Sequence, residues 1–361
     1  MKRRQFITGA AGAVAAASTV FSPLTIARNK KFKLDMVTSW PTSLDTLFGT
    51  AQYIGRSIEA ATDGDVEVEV FPAGAQVGGL EVFDSVSSGA FAMGHTASYY
   101  YIGKDPAHAF FTTMPFGLTG NQQNGWLLAG GGEDLWNELN APSNLIAFTA
   151  GNTGGQTGGW FNKEINSPED LKGLKMRFPG VGGQIMGRAG VNIQNLPGGQ
   201  VYFALDRGVI DAADWVSPYD DEILQLQKAA KYYYMPSWAE PGPTLGLYLN
   251  NDIFKDLPKD IREMIPVVAH AANDRMFAQY TAKNGPALKR LIAGGAEVRT
   301  FPSDVLDLLN KYNNEIQQEH VEKNAIYAKI HKQWTGFRDD VRSWTDVSSY
   351  NYLRYINGDL K

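Results

Sequence analysis

Strand-length and helix-length patterns take turns twice along this chain, and the two blocks are separated by a glycine-rich run, GNTGGQTGG at 151–159. In the first block, 33–39 reads as a strand, 47–61 as a helix, 66–71 (VEVEVF) as an alternating strand, 80–88 as a helix and 91–98 as a strand. In the second, 175–178, 191–195 and 212–216 read as strands, with helices at 182–189 and 201–207 between them. Apolar residues two apart line one face of a strand, and those three or four apart line one face of a helix. Repeated units of this kind imply α/β sheets with helices on both faces. The second block closes at Pro241-Gly242-Pro243, so the expected architecture is two α/β lobes joined by crossing segments, with a binding cleft between them.

From residue 259 onward the pattern changes to helix. Helical periodicity runs to 293, one strand is expected at 297–300, and almost continuous helix from 303 to about 333. Ser303 with Val305, Leu306, Leu308 and Leu309 reads as a capped amphipathic start, and Ile316, Val321, Ile326, Tyr327 and Ile330 extend the apolar stripe. Such a tail either packs along both lobes or joins a second subunit. The expected division is therefore an export signal at 1–27, a first lobe at 28–151 plus 243–300, a second lobe at 152–242, and C-terminal helices at 301–361.

The first residues carry Lys2, Arg3 and Arg4, followed by an uncharged Ala- and Gly-rich stretch at 7–21 and small residues near 25–27. That is the layout of an export signal, too short in its apolar part for the ~20 residues of a membrane span. Arg3-Arg4 before Gln5-Phe6-Ile7 resembles the twin-arginine consensus. The chain has no cysteine, so in an oxidising compartment its stability comes from ordinary cores, and thiolate chemistry is excluded. Formal charge is −5; without Lys2, Arg3 and Arg4, 30 basic side chains face 38 acidic ones, a balance of −8. That sign argues against nucleic acid or an anionic membrane surface as partner.

Enzyme-like motifs are sparse. Gly180-Val181-Gly182-Gly183 follows a strand and opens a helix, but Ile185 replaces the last glycine of a dinucleotide loop and no acidic residue follows about twenty positions on. The five histidines show no metal-binding spacing, and no GxSxG elbow exists. Arg177, by contrast, closes a short strand just before Pro179-Gly180, a placement suited to a bound anion. Asp214 ends another strand before Ser217-Pro218, and Glu240 stands beside Trp238 among prolines and glycines. Carboxylates in such surroundings are costly unless paired with a cation. With Gln156 and a main-chain carbonyl they would form an all-oxygen shell of the kind Ca²⁺ or Na⁺ prefers.

Three stretches, SPEDLKGLKMRFPG at 167–180, GGQVYFALDRGVIDAADWVSPYDDE at 198–222 and KYYYMPSWAEPGPTLGLYLN at 231–250, carry a specific resemblance. In order and spacing the chain resembles the solute-binding proteins of tripartite ATP-independent periplasmic (TRAP) transporters, C4-dicarboxylate-type superfamily, most of all their 2-oxoacid-binding branch, from about residue 31 to the C-terminus. The resemblance implies a two-lobed periplasmic binding-protein fold, a non-enzymatic protein that closes on a small organic acid, and membrane permease subunits as partners. It implies that Arg177 holds the ligand carboxylate and that Gln156, Asp214, the Trp215 carbonyl and Glu240 hold a metal ion chelated by the acid. Sodium-binding relatives are expected to carry glutamate at the position of Asp214. A divalent ion neutralises the two carboxylates, Arg177 and a ligand carboxylate together, whereas a monovalent one leaves a net charge, so Ca²⁺ is expected, with Na⁺ as the alternative.

The aromatic set Tyr99, Tyr100, Tyr101, Phe178, Trp215 and Trp238 leaves room for a short apolar tail, so pyruvate or lactate is the expected ligand. If 91–100 stays extended, Thr96, Ser98 and Tyr100 share one face and meet the ligand. Closure is expected about Gly151, Gly154, Gly155 and the Pro241–Pro243 run, and the resemblance further implies a homodimer through the C-terminal helices. An exported enzyme using Asp214 as base, or a ligand-presenting sensor partner, remain the alternatives.

Overall fold

A computed structural model describes residues 32–359; the export signal expected at 1–27 lies outside them. Eleven strands run through the described residues: β1 (Phe32–Thr38), β2 (Val66–Phe71), β3 (Met93–Thr96), β4 (Leu145–Asn152), β5 (Gly159–Phe161), β6 (Lys175–Arg177), β7 (Asn192–Gln194), β8 (Ala212–Ala213), β9 (Tyr232–Met235), β10 (Thr244–Asn250) and β11 (Glu297–Thr300). They form two sheets, ordered β2-β1-β3-β10-β4 and β11-β9-β5-β8-β6-β7. β1 pairs in parallel with both β2 and β3, as strand–helix–strand units require. β10 runs antiparallel between β3 and β4 because it enters the first sheet on the chain's return from the second.

The helix Leu47–Ala61 forms where the periodicity placed it. Leu47, Ala51, Ile54 and Ile58 are all buried on one face, and each large aliphatic side chain so removed from water contributes about 1.5–3 kcal/mol. β4 and β10 are buried along almost their whole length, covered on both faces, and for that reason show no alternation.

Three connections cross between the sheets. Residues 153–158 lead from β4 to β5, residues 236–243 return from β9 to β10, and the 35-residue helix Lys259–Ala293 leads back to β11. At 1.5 Å per residue that helix is about 50 Å long, enough to lie along both lobes. Its first half packs Ile261, Ile265, Val268, Ala269 and Ala272 into a core with β1, β2, β4 and β10; its second half packs Met276, Tyr280 and Leu291 into a core that mixes residues of both lobes.

Two expectations need correction, and a third gains detail. Residues 297–300, assigned to the first lobe, form the outer strand of the second sheet, paired in parallel with β9. The almost continuous helix expected from 303 has its one interruption at Asn324, whose backbone is extended and whose side chain caps the next helix by accepting the Tyr327 N–H. The strand expected at 91–98 ends at Thr96, and Ser98–Tyr101 turns into a 3₁₀ helix. The helices Ser303–Lys323 and Ala325–Thr345 pack along the body: Arg188 of the second lobe pairs with Glu319, and Trp126 of the first donates to Gln333.

Candidate functional site

The crossing segments are laced together by their own backbone. Thr153 N–H donates to the Pro243 carbonyl (3.0 Å), Gln156 N–H to Glu240 (3.0 Å), Thr157 N–H to Val216 (3.2 Å) and Gly158 N–H to Tyr234 (2.7 Å). Residues far apart in sequence, Gln156, Glu240 and the loop after β8, are thereby brought into one layer between the sheets. Arg177, last residue of β6, joins them through the pairing with β8, and its carbonyl accepts the Asp214 N–H at 3.0 Å.

The Arg177 guanidinium is almost fully buried. Its Nε donates to the Leu196 carbonyl (3.2 Å), its Nη1 to the Asp214 carbonyl (2.6 Å), and the group lies 4.9 Å from the Trp215 ring centre. The Asp214 carboxylate is farther off, 3.6 Å at its nearest. Both Asp214 oxygens, both Glu240 oxygens and Gln156 Oε1 are buried without a hydrogen-bond partner. Buried polar atoms are nearly always satisfied, so five unsatisfied oxygens on three neighbouring side chains are the chemical signature of an oxygen-ligand cation site.

The electrostatics agree. Burial, then the Glu240 charge, pushes the Asp214 carboxyl well above its usual range against the pull of Arg177. Burial likewise raises Glu240 to about 8, opposed by Arg177 and by the Tyr99 hydroxyl, which is near enough to act without completing a hydrogen bond. Two carboxylates that resist ionisation beside a single arginine need another positive charge before both can be ionised. Among the described residues no group of three or more His, Cys, Asp and Glu could hold a metal, and the unpartnered oxygens here come from two carboxylates and the Gln156 amide.

Tyr100, Trp215 and Gln156 border a void of about 20 Å³ with Trp40, Tyr99 and Thr153. That is space for about one water, and Arg177 itself is covered. Phe178 lines the groove outside it and meets the Trp238 ring at a tilt, 5.7 Å between centres. Ser98 does not join them: the 3₁₀ turn sends its hydroxyl to His108 Nδ1 (3.1 Å), and the Thr96 hydroxyl lies between Ser39 and Tyr101. The two-residue period fails as soon as the strand ends, leaving only Tyr100 of that trio at the void.

The glycine run that begins at Gly180 has a packing role. Gly180 has φ of +64°, and a Cβ there would come within 2.7 Å of the Tyr99 ring, so the glycine permits the lobes' close approach. Gly242, expected at a hinge, is wedged where a Cβ would lie 2.3 Å from the Gly120 nitrogen.

Sequence reasoning missed Asp220 and Asp221. Both are fully buried: Asp221 accepts from Trp160 (2.9 Å) and Tyr233 (2.7 Å), Asp220 from Thr46 and Tyr280 (2.6 Å each). Following Ser217-Pro218, they look like ordinary solvated acids in the first turn of a helix, and nothing local betrays their burial.

Residues 36–324 match the model of the bacterial extracellular solute-binding proteins, family 7. The chain is 46% identical, over 99% of both chains, to a monocarboxylate 2-oxoacid-binding periplasmic protein of Nostoc sp.. It is also similar to the solved TRAP periplasmic solute-binding protein of Colwellia psychrerythraea with bound calcium and pyruvate (35% identity, TM-score 0.88, covering 90% of this chain and 100% of that one). The corresponding protein of Pseudoalteromonas atlantica T6c, with bound sodium and pyruvate, gives 36% identity and a TM-score of 0.87, covering 90% and 99%.

Proposed function

The chain belongs to family 7 of the bacterial extracellular solute-binding proteins, and on that premise we propose that it captures pyruvate, lactate or a similarly small 2-oxo or 2-hydroxy monocarboxylate together with a metal ion and delivers it to TRAP membrane subunits. This is a family of receptors, not of enzymes. The observation that carries the reading is the set of five unpartnered buried oxygens on Gln156, Asp214 and Glu240 beside Arg177.

In this reading Arg177 directs the ligand carboxylate, while Gln156, Asp214, the Trp215 carbonyl and Glu240 hold the ion. The ion supplies a positive centre that the acid chelates through a carboxylate oxygen and the adjacent oxo or hydroxyl oxygen. Tyr100 and Trp215 bound the tail, and the aromatic and aliphatic walls beside them offer a second carboxylate no cationic partner. Charge balance favours Ca²⁺: with ligand present, two negative charges stay uncompensated by Arg177, and leaving one of them buried costs several kcal/mol. Relatives with calcium and with sodium beside pyruvate support an ion of this class. The periplasm is the proposed compartment.

The C-terminal segment supports a homodimer. Trp344, Val347, Tyr352, Leu353, Tyr355 and Ile356 are each at least half exposed within a dozen or so residues, an apolar surface that a second copy of the same helix could cover.

Calorimetry against pyruvate, lactate, 2-oxobutyrate and succinate, each with Ca²⁺ and with chelator, tests the proposal. Binding of the monocarboxylates only when the ion is present supports it. Metal-independent binding, or succinate preferred over the monocarboxylates, overturns it.

A further inference from the structure

Asp220 connects three parts of the fold. It lies in the helix Pro218–Ile223 of the second lobe; Thr46, whose hydroxyl donates to Oδ1 at 2.6 Å, precedes the helix Leu47–Ala61 of the first lobe; and Tyr280, donating to Oδ2 at 2.6 Å, belongs to the helix that spans both. Thr46, Asp220 and Tyr280 are all buried, and the core that includes Tyr280 draws Leu44, Leu47 and Phe48 from one lobe and Trp160, Leu226 and Tyr233 from the other. Outside this layer a second one spans the same gap: Asp45 accepts from Tyr219 (3.1 Å) and Lys283 (2.8 Å), and Asn284 accepts from Ser217 Oγ (3.0 Å).

A carboxylate whose two oxygens meet only neutral hydroxyls is an expensive object to bury, and an amide would fill the same space at lower cost. The burial here is made jointly by the two lobes, so separating them returns water to Asp220. The charge therefore opposes closing, and the Thr46 bond, made across the gap, favours it. We propose that Asp220, Thr46 and Tyr280 form a latch between the lobes that sets how readily they close, and thereby ligand affinity, without touching the ligand.

The latch rests on the capture function proposed above, but it has a signature of its own. Burial raises the Asp220 carboxyl to about 7, with Thr46 and Tyr280 pulling it down and the like charges of Asp221 and Asp45 pushing it up; Lys283 is engaged by Asp45. Exposed by opening, the group returns toward an ordinary aspartate. Closing then takes up a proton between these two values, so lowering the pH through that window favours the closed form.

The chain has no cysteine, so Ala60→Cys on the first lobe and Lys172→Cys on the second, both exposed, give a unique spin-label pair for interlobe distances. In ligand-free protein the closed-to-open ratio is expected to rise about tenfold more from pH 8 to pH 6 in the parent than in Asp220→Asn, which is neutral throughout. Thr46→Val, which removes only the first lobe's donor, is expected to lower the closed fraction at both pH values and to speed pyruvate release, with melting temperature near the parent's. Distances and pH response unchanged in both variants would overturn the latch. Failure of the parent to bind any 2-oxo acid would overturn the capture function instead, and the distance measurement would still decide the latch.

Discussion

Arg177 donates a 2.6 Å hydrogen bond to the main-chain carbonyl of Asp214 and stays 3.6 Å from that residue's carboxylate. The cation thus fixes the backbone of the loop after β8 and leaves both Asp214 oxygens unpartnered. A tight ion pair would have consumed the carboxylate; the observed geometry keeps it available for a cation while the guanidinium charge still lowers the cost of burying it.

Replacing Arg177 by Lys should show that the fork is needed as well as the charge. A lysine cannot reach the Leu196 and Asp214 carbonyls together and present a planar face to a carboxylate. Ligand affinity is expected to fall about 10- to 100-fold, with a loss of roughly 1–3 kcal/mol in stability. Calorimetry and urea unfolding measure the two effects, and an Arg177→Lys protein that binds like the parent would remove the arginine from the site.

Glu240→Gln separates metal binding from folding. The folded Glu240 carboxyl, raised to about 8 from 4.5, is favoured by low pH, and its share of stability is lost as pH rises through 8. Above that pH, metal-free Glu240→Gln is expected to exceed the parent in stability by about 1–3 kcal/mol, yet to gain nothing from added Ca²⁺. Thermal unfolding at pH 8.5, with chelator or with calcium, reads both; a variant less stable without metal and still stabilised by calcium would contradict the assignment.

His95 supplies an acid-sensitive share of the stability. Its Nδ1 accepts the Trp40 indole N–H at 2.7 Å, its Nε2 lies 3.1 Å from the Ala150 carbonyl, and burial lowers its pKa from 6.5 to about 4. Between those values the unfolded chain binds a proton that the folded site does not, so the His95 share of stability falls as pH drops from 6.5 toward 4. Asp220 and Asp221, raised to about 7 and about 6, act in the opposite sense over an overlapping window. His95→Asn, whose amide oxygen can still accept from Trp40, is expected to lose about 2 kcal/mol less than the parent between pH 7 and pH 4.5. Urea titrations at the two pH values give the comparison, and identical losses would show that His95 does not titrate this way.

The exposed C-terminal stripe predicts association. Trp344→Ser combined with Tyr355→Ser leaves the packed helices Ser303–Lys323 and most of Ala325–Thr345 untouched. Sedimentation should show a parent dimer and a variant monomer with the same ligand affinity. A monomeric parent at tens of micromolar would exclude the dimer.

Local pattern carried much of the architecture. β2 and the helix Leu47–Ala61 stand where alternation and helical periodicity put them, because each has one buried face and one wet face. β4, buried along nearly its whole length, and β5 and β9, with burial pattern and pairing set by neighbours, carry no period to read. Arg177, Gln156, Asp214 and Glu240 were legible as polar groups in turn-rich aromatic surroundings. Ser98 was misread because a period of two says nothing about where a strand stops, and here a hydrogen bond from the Tyr99 N–H to Thr112 helps hold the turn.

By itself the sequence determined the two strand–helix blocks, the helical last third and the family. These follow from hydrophobic period and from long ordered motifs, which are properties of neighbouring residues. Only the tertiary structure decided that five oxygens of Gln156, Asp214 and Glu240 have no partner, that Arg177 binds a carbonyl, and that Asp220 is buried between the lobes. Burial and unmet hydrogen bonds are relations between segments scores of residues apart, brought together when three crossings close one lobe on the other.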